Sequence, residues 1–243
     1  MSAAAALSGS GARSRPRPPA VYAIADLAAL GGRPLPEAVA AMARAGVRWI
    51  QLRAKPRPPA PRLDDAELYR LVEACVAAAE GTGAELWIDD RADLAAVFPL
   101  AGVHLGRRDL PPAAARRVVG DRVRIGRSTH DAEQLADADA DPDVDVVAVG
   151  PVFATTGKER PDPVVGLDFV RRARRATAKP LVAIGGIDAG NLAEVLAAGA
   201  DAAAVLGAAC AGDVEASCRA LLAAAGAVTA AAVGAAAAGG PPS

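Results

Sequence analysis

The sequence predicts an α/β chain folded as a single (β/α)8 TIM barrel with flexible N- and C-terminal extensions, on three observations. Short β-rich runs alternate with Ala/Leu/Arg-rich helical runs, the pattern of parallel βαβ repeats. Eight such strand runs can be counted, the number that closes a barrel. Polar residues concentrate where the strand runs end, and barrels of this type carry their chemistry at the carboxyl ends of strands.

The elements follow in order. AVYAIAD (20–26) is the first strand, and a helical run covers 35–45. VRWIQLR (47–53) is the second strand. Behind it, PRPPAPRLDD (56–65) is a Pro-rich loop long enough to cover a site, and a helix is expected over 64–80. ELWIDD (85–90) and GVHLG (102–106) are the third and fourth strands, with no helical run assigned between them. A helix over 110–118 follows, where Pro111 and Pro112 suit a first turn. RVRIGRS (122–128), helix 131–138, DVVAVGPV (145–152), helix 166–175, PLVAIGG (180–186), helix 188–198, AAAVLG (202–207) and helix 213–225 complete the series.

One barrel domain is therefore expected over 20–225. Residues 1–19 are Ala/Ser/Pro/Arg-rich, with the arginines after the apolar patch instead of before it. They read as a disordered extension, with an organellar or export address as the alternative. Residues 226–243 read as an Ala/Gly-rich tail, a frayed helix end leading into a flexible segment. Alanine and glycine are too weakly apolar for that tail to be assigned as a membrane span.

Composition narrows the function classes. The chain has 243 residues, 52% of them hydrophobic, which is enough for a sizeable core. A formal net charge of −1 argues against a general nucleic-acid binder and offers no basic surface for a membrane, but leaves room for a local basic pocket. Cys75, Cys210 and Cys218 have no metal-ligand spacing, and their odd number argues against a disulfide framework. They are expected to be reduced, buried thiols in a cytoplasmic protein. Nothing in the sequence sets an oligomeric state.

The strand ends carry the candidate chemistry. Gln51, Arg53 and Lys55 lie two apart, so an extended strand puts them on one face and Ile50 and Leu52 on the other. Arg offers a planar fork to phosphate oxygens and Lys a point charge, while Gln can read a donor and an acceptor on a heterocycle. Asp89, Asp90 and Asp109 come from adjacent strand ends. They suit magnesium, which takes one or two carboxylates and keeps water and phosphate in its other positions; they equally suit helix caps or loop charges. Asp89 and Asp90 are sequence neighbours, so strand alternation predicts that they point apart. His104, inside a strand, is expected to pack in or near the core. Ser128 ends a strand as either a phosphate donor or a turn residue, and His130 beside it is weak evidence for acid–base catalysis. In GPVFATTGKERP, two threonines, a glycine and Lys158 follow a strand. Hydroxyls, loop amides and an ammonium there can bind a diphosphate, without the spacing of a nucleotide P-loop. The seventh and eighth strands end on Gly185-Gly186 and Gly207, where barrels commonly bind phosphate through backbone N–H groups.

Together the stretches WIQLRAK, IDDRADLA, GVHLGRRDL, IGRSTH, GPVFATTGK and VAIGGI, in this order between about Val21 and Ala224, resemble the thiamine-phosphate synthase family (thiamine-phosphate pyrophosphorylases). The resemblance implies a (β/α)8 barrel and a Mg2+-dependent transferase. Such an enzyme joins hydroxymethylpyrimidine diphosphate to thiazole phosphate through a dissociative step, giving thiamine phosphate and diphosphate. It implies that the run Gln51, Leu52, Arg53, Ala54, Lys55 holds the pyrimidine diphosphate and that Asp90 and Asp109 are the metal ligands. It further implies that Ser128 and Lys158 contact diphosphate, and that Thr155, Thr156, Gly157, Gly186, Leu206 and Gly207 take the thiazole phosphate. Arg53, Lys55 and Lys158 are then the catalytic cations. Small-molecule substrates, and neither nucleic acid nor membrane, are the implied partners.

Three positions depart from the family pattern, which usually has Asn, a contact to the substrate diphosphate, at Asp89, a second Thr at Gly157 and often Ser at Gly207; the resemblance thus implies Asp89 as a substrate-binding residue. Two other readings of the barrel stand beside this one: a thiazole tautomerase-like isomerase, and a non-catalytic sensor of phosphorylated ligands.

Overall fold

The structure, a computed structural model, describes residues 17–56, 61–155 and 163–238. Eight β/α units follow one another: β1 (Val21–Asp26), α1 (Leu35–Ala45), β2 (Trp49–Arg53), α2 (Asp65–Ala79), β3 (Glu85–Asp89), α3 (Ala92–Val97), β4 (Gly102–Leu105), α4 (Pro112–Val119), β5 (Arg124–Thr129), α5 (Ala132–Ala140), β6 (Val146–Val149), α6 (Gly166–Ala176), β7 (Leu181–Ile184), α7 (Leu192–Ala197), β8 (Ala202–Val205) and α8 (Val214–Ala238). Each strand pairs in parallel with its successor, and β8 pairs with β1, so the sheet closes. The expected barrel and its eight strands are all present.

Two differences from the sequence expectation have local causes. Helix α3 lies in the interval where no helical run was assigned. It is six residues long and its N-cap, Arg91, makes no side-chain capping bond, so it carries neither periodicity nor a cap signal. Helix α8 runs on to Ala238 instead of ending at 225. Ala225 is the last buried residue among its described side chains. Alanine, the strongest helix former, carries the helix further. Among the described residues no helix is long and apolar enough to cross a membrane.

Strand alternation divides the interior into two layers. Outward-facing residues such as Ile50, Leu52, Val103, Leu105, Ile125 and Val147 pack against the helices. Inward-facing Tyr22, Trp49, Trp87, Val146, Ala148, Val182, Ala202 and Ala204 fill the barrel. Tyr22, Trp49 and Trp87 are in mutual contact, with ring centroids 4.7–5.7 Å apart. Gly102 pairs directly with Trp87, and a Cβ on it would sit 2.3 Å from the indole, so glycine is the residue that admits the large ring. Beneath the rings, Glu85 accepts from the Trp49 indole N–H at 3.0 Å and pairs with Arg124, whose guanidinium lies over the Trp49 ring. The amino-terminal mouth is thereby plugged with aromatic and paired charged groups. The three cysteines are buried and free, as expected, and burial pushes the Cys75 thiol up to about 12.

Candidate active site

The carboxyl-terminal mouth collects the polar side chains. Gln51 is 4% exposed and forms its floor, donating from Nε2 to the Tyr22 hydroxyl at 2.8 Å, which fixes the orientation of the amide. The side chains of Leu52 and Ala54 face the outer layer, so this run turns Gln51 and Arg53 to the pore. Arg53 pairs with Asp26, its direct neighbour on β1, and its Nε is 3.4 Å from an Asp89 carboxylate oxygen. Lys55 Nζ bridges two carboxylates, at 2.7 Å from Asp89 and 2.6 Å from Asp90.

The expectation that Asp89 and Asp90 point apart is corrected here. Asp90 has φ 65°, the one positive φ outside glycine among the described residues. This left-handed turn brings both neighbours to one ammonium. It is held by Asp90 N donating to the His104 carbonyl at 2.9 Å and by Arg91 N donating to the Asp89 carbonyl at 2.8 Å. Asp and Asn tolerate this region better than other side chains, and such outliers cluster at functional sites. Neither aspartate caps α3, and Asp109 does not cap α4, whose N-cap is Pro111. Asp109 instead accepts from its own loop, Gly106 N, at 2.6 Å, and its carboxyl lies near enough to that of Asp90 for the two to perturb each other.

The electrostatics divide the three acids. Burial pushes Asp89 up to about 6, with Asp90 adding to the rise and Lys55 opposing it. Burial also acts to raise Asp90, but the hydrogen bond and charge of Lys55 outweigh it and hold Asp90 below the usual carboxylate range. Asp109 is raised by burial and by the neighbouring Asp90 carboxylate. Lys55 is itself raised, since the two carboxylates outweigh its burial. The resting site is thus a cation–carboxylate cluster built on Lys55, Asp89 and Asp90, with Asp109 beside it.

The remaining candidates line the other walls. Ser128 Oγ lies 2.8 Å from His104 Nε2, and a Cβ on Gly126 would come within 2.7 Å of the same ring, so a glycine on β5 makes room for the imidazole. His104 therefore faces the pore beside Ser128, which its place in GVHLG alone did not reveal. Asp26, which orients Arg53, was also missed; its signal was the rule already in use, a polar residue at the end of a strand. His130 Nδ1 lies 2.6 Å from the Gly150 carbonyl and so braces the backbone after β6.

Past β6 the chain runs beside the end of β7, with Val152 N donating to the Ile184 carbonyl and Phe153 N to that of Gly185. This brings the stretch up to Thr155 against Gly185 and Gly186. Both glycines have positive φ, and a Cβ on either would come within 2.5 Å of that neighbouring chain. Leu206 is half-buried against the inner core, and a Cβ on Gly207 would meet nothing within 4 Å, so Gly207 borders open space. Thr156, Gly157 and Lys158 lie outside the described residues, as does the 57–60 part of the Pro-rich loop.

Among the described residues no group of three or more His, Cys, Asp or Glu is gathered to hold a metal. The neighbouring carboxyls of Asp90 and Asp109 are hard oxygen donors, the kind Mg2+ takes in ones and twos.

A closed barrel plugged at one end, with paired cations, carboxylates and glycine-bordered turns at the other, has the layout of a (β/α)8-barrel enzyme. The chain belongs to the thiamine monophosphate synthase family, whose model matches residues 21–209, and it is a transferase of that family. It is 44% identical over 193 residues to a thiamine-phosphate synthase of Koribacter versatilis, covering 77% of this chain and 87% of that one. It is 41% identical over 191 residues to one from Albidiferax ferrireducens, covering 79% and 84%. The solved thiamine phosphate pyrophosphorylase from Pyrococcus furiosus superposes with a TM-score of 0.73 at 30% identity, covering 86% of this chain and 96% of that one.

Proposed function

We propose that the chain condenses 4-amino-2-methyl-5-hydroxymethylpyrimidine diphosphate with thiazole phosphate, giving thiamine phosphate and diphosphate in thiamine biosynthesis, with Mg2+ as cofactor and a cytoplasmic site of action. The observation that most supports this reading is the convergence of Arg53 and Lys55 on Asp89, with Lys55 also on Asp90 and with Asp109 beside it, at one corner of the mouth. A leaving diphosphate needs cations, and a divalent ion needs carboxylates that leave room for phosphate oxygens.

Asp90 and Asp109 would hold the Mg2+, which fits their donor set. The chemistry Mg2+ supplies when bound is neutralisation of charge on the diphosphate oxygens. Lys55 exchanges carboxylate contacts for diphosphate oxygens, and Asp26 keeps Arg53 aimed at the same group. Ser128 and Lys158 add diphosphate contacts, and Gln51 faces the pyrimidine ring from the floor. The bond between the methylene carbon and the diphosphate oxygen breaks with its electron pair going to the diphosphate. The cationic pyrimidine methylene is then captured by the lone pair of the thiazole nitrogen, which the loop from Thr155 to Gly157, Gly186 and the Leu206–Gly207 backbone hold by its phosphate. No covalent nucleophile takes part; positioning and charge compensation lower the barrier.

The test is diphosphate release in the presence of Mg2+. Release is expected only when both substrates are present. Release from the pyrimidine substrate alone at the same rate, or none with both, sinks the reading.

Two departures from the family pattern give further expectations. Asp89→Asn replaces a buried carboxylate with the family side chain and leaves Lys55 freer for the incoming anion. Its kcat is expected to equal or exceed the parent value in steady-state assays, and a tenfold fall would show that Asp89 has an essential role of its own. At Gly207 there is room for a side chain and φ is not positive. Gly207→Ser is expected to fold normally and to lower the KM for thiazole phosphate by about two- to tenfold, the worth of one hydrogen bond. A higher KM would place the phosphate elsewhere.

A further inference from the structure

Outward-facing positions on the strands are apolar almost throughout: Ile125, Val103, Leu105 and Val147 surround one point on β5. At that point stands Arg127, between inward-facing Gly126 and Ser128. A guanidinium among aliphatic neighbours at the edge of the helix layer is costly unless its hydrogen bonding is put to use. Its Nη1 donates to the Gly106 carbonyl at 2.7 Å.

That carbonyl belongs to the loop carrying Asp109. It also accepts from Asp109 N, at a longer 3.2 Å, while Gly106 N donates to the Asp109 carboxylate at 2.6 Å. The turn that presents Asp109 is thus closed by one long backbone bond and one side-chain bond, both ending on Gly106. A charged donor on Gly106 from outside the barrel clamps it. We infer that Arg127 is a positioning residue for the candidate metal site, fixing the Gly106–Asp109 turn from the outer face of β5 so that the Asp109 carboxylate meets Asp90. Strand alternation turns the Arg127 side chain to the face opposite that of Ser128, so its role is to position the turn and not to meet the reacting atoms. Groups that orient a ligating carboxylate in this way commonly set metal affinity by 10- to 100-fold.

The site of Arg127 makes the idea testable without wrecking the fold. Arg127 borders an open crevice of about 280 Å3 that Arg107, Ser128, Gln134, Asp137 and Asp141 also line. A methionine there can occupy the same space without leaving a sealed cavity.

The inference rests on the proposal that Asp109 is a metal ligand, and the experiment separates the two. Mn2+ binding to the substrate-free protein is followed by the EPR signal of the free ion, with melting temperature measured beside it, for the parent, Arg127→Met, Arg127→Lys and Asp109→Asn. Arg127→Met is expected to weaken Mn2+ binding by about tenfold at an almost unchanged melting temperature. Arg127→Lys, which keeps one charged donor, is expected to recover part of that loss, and Asp109→Asn to lose binding. Parent-like binding in Arg127→Met with loss in Asp109→Asn overturns the role of Arg127 alone. Parent-like binding in both overturns Asp109 as a ligand. Weakened binding that tracks a fall in melting temperature in both Arg127 variants shows a purely structural arginine and also overturns the inference.

Discussion

Asp90→Asn and Asp109→Asn are each expected to lower kcat by about 10³-fold or more, while the same substitution at Asp89 does not lower it. The three changes are chemically identical, so the contrast isolates position. Asp90 and Asp109 meet carboxyl to carboxyl, and replacing either oxygen donor with an amide removes the anionic pair that a divalent cation requires. Several kcal/mol of leaving-group stabilisation go with it, and about 4 kcal/mol corresponds to the expected factor. Asparagine is the informative replacement at Asp90 because of the backbone. With φ at 65°, Asn keeps the left-handed turn, whereas Ala would add backbone strain to the loss of charge. Steady-state rates at saturating Mg2+, with folding checked by circular dichroism, decide the matter. Equal losses at all three positions would end the division of roles between Asp89 and its neighbours.

The sequence carried the barrel well because each of its signals is local. Period-two strands, helical runs between them and polar residues at strand ends need no knowledge of distant contacts. What escaped it depended on closure of the sheet or on a single dihedral angle. His104 stands in GVHLG with apolar residues on both sides, and only the closed barrel decides that its ring faces the pore at Ser128. Asp26 looks like a strand terminator until β2 brings Arg53 alongside. The pair Asp89-Asp90 follows alternation until the left-handed turn at Asp90 overrides it. Lys55 sits far from both aspartates in sequence, so its bridging position was beyond any local pattern.

That bridging position makes Lys55 the next most sensitive point. Lys55→Met is expected to lower kcat/KM for the pyrimidine diphosphate by about 10²- to 10³-fold, in line with the 2–5 kcal/mol cost of truncating one partner of a partly buried, hydrogen-bonded charge pair. Two effects add. The incoming diphosphate loses a cation, and Asp89 and Asp90 lose the ammonium lying 2.7 and 2.6 Å from them, leaving two neighbouring carboxyls without the cation that opposed their burial. The second effect is a penalty from Asp89 and is removable. In the double variant Lys55→Met/Asp89→Asn the surplus carboxylate is gone, Arg53 is released from its 3.4 Å contact with it, and part of the lost kcat/KM should return. Contacting residues of this kind give non-additive cycles of about 0.5–3 kcal/mol, well within reach of kinetic measurement. Strict additivity would mean that Lys55 acts on the substrate alone and that its contact with Asp89 has no bearing on catalysis. Recovery would show that the aspartate in place of the family asparagine is held in check by Lys55, and that the two positions have to be read as one unit.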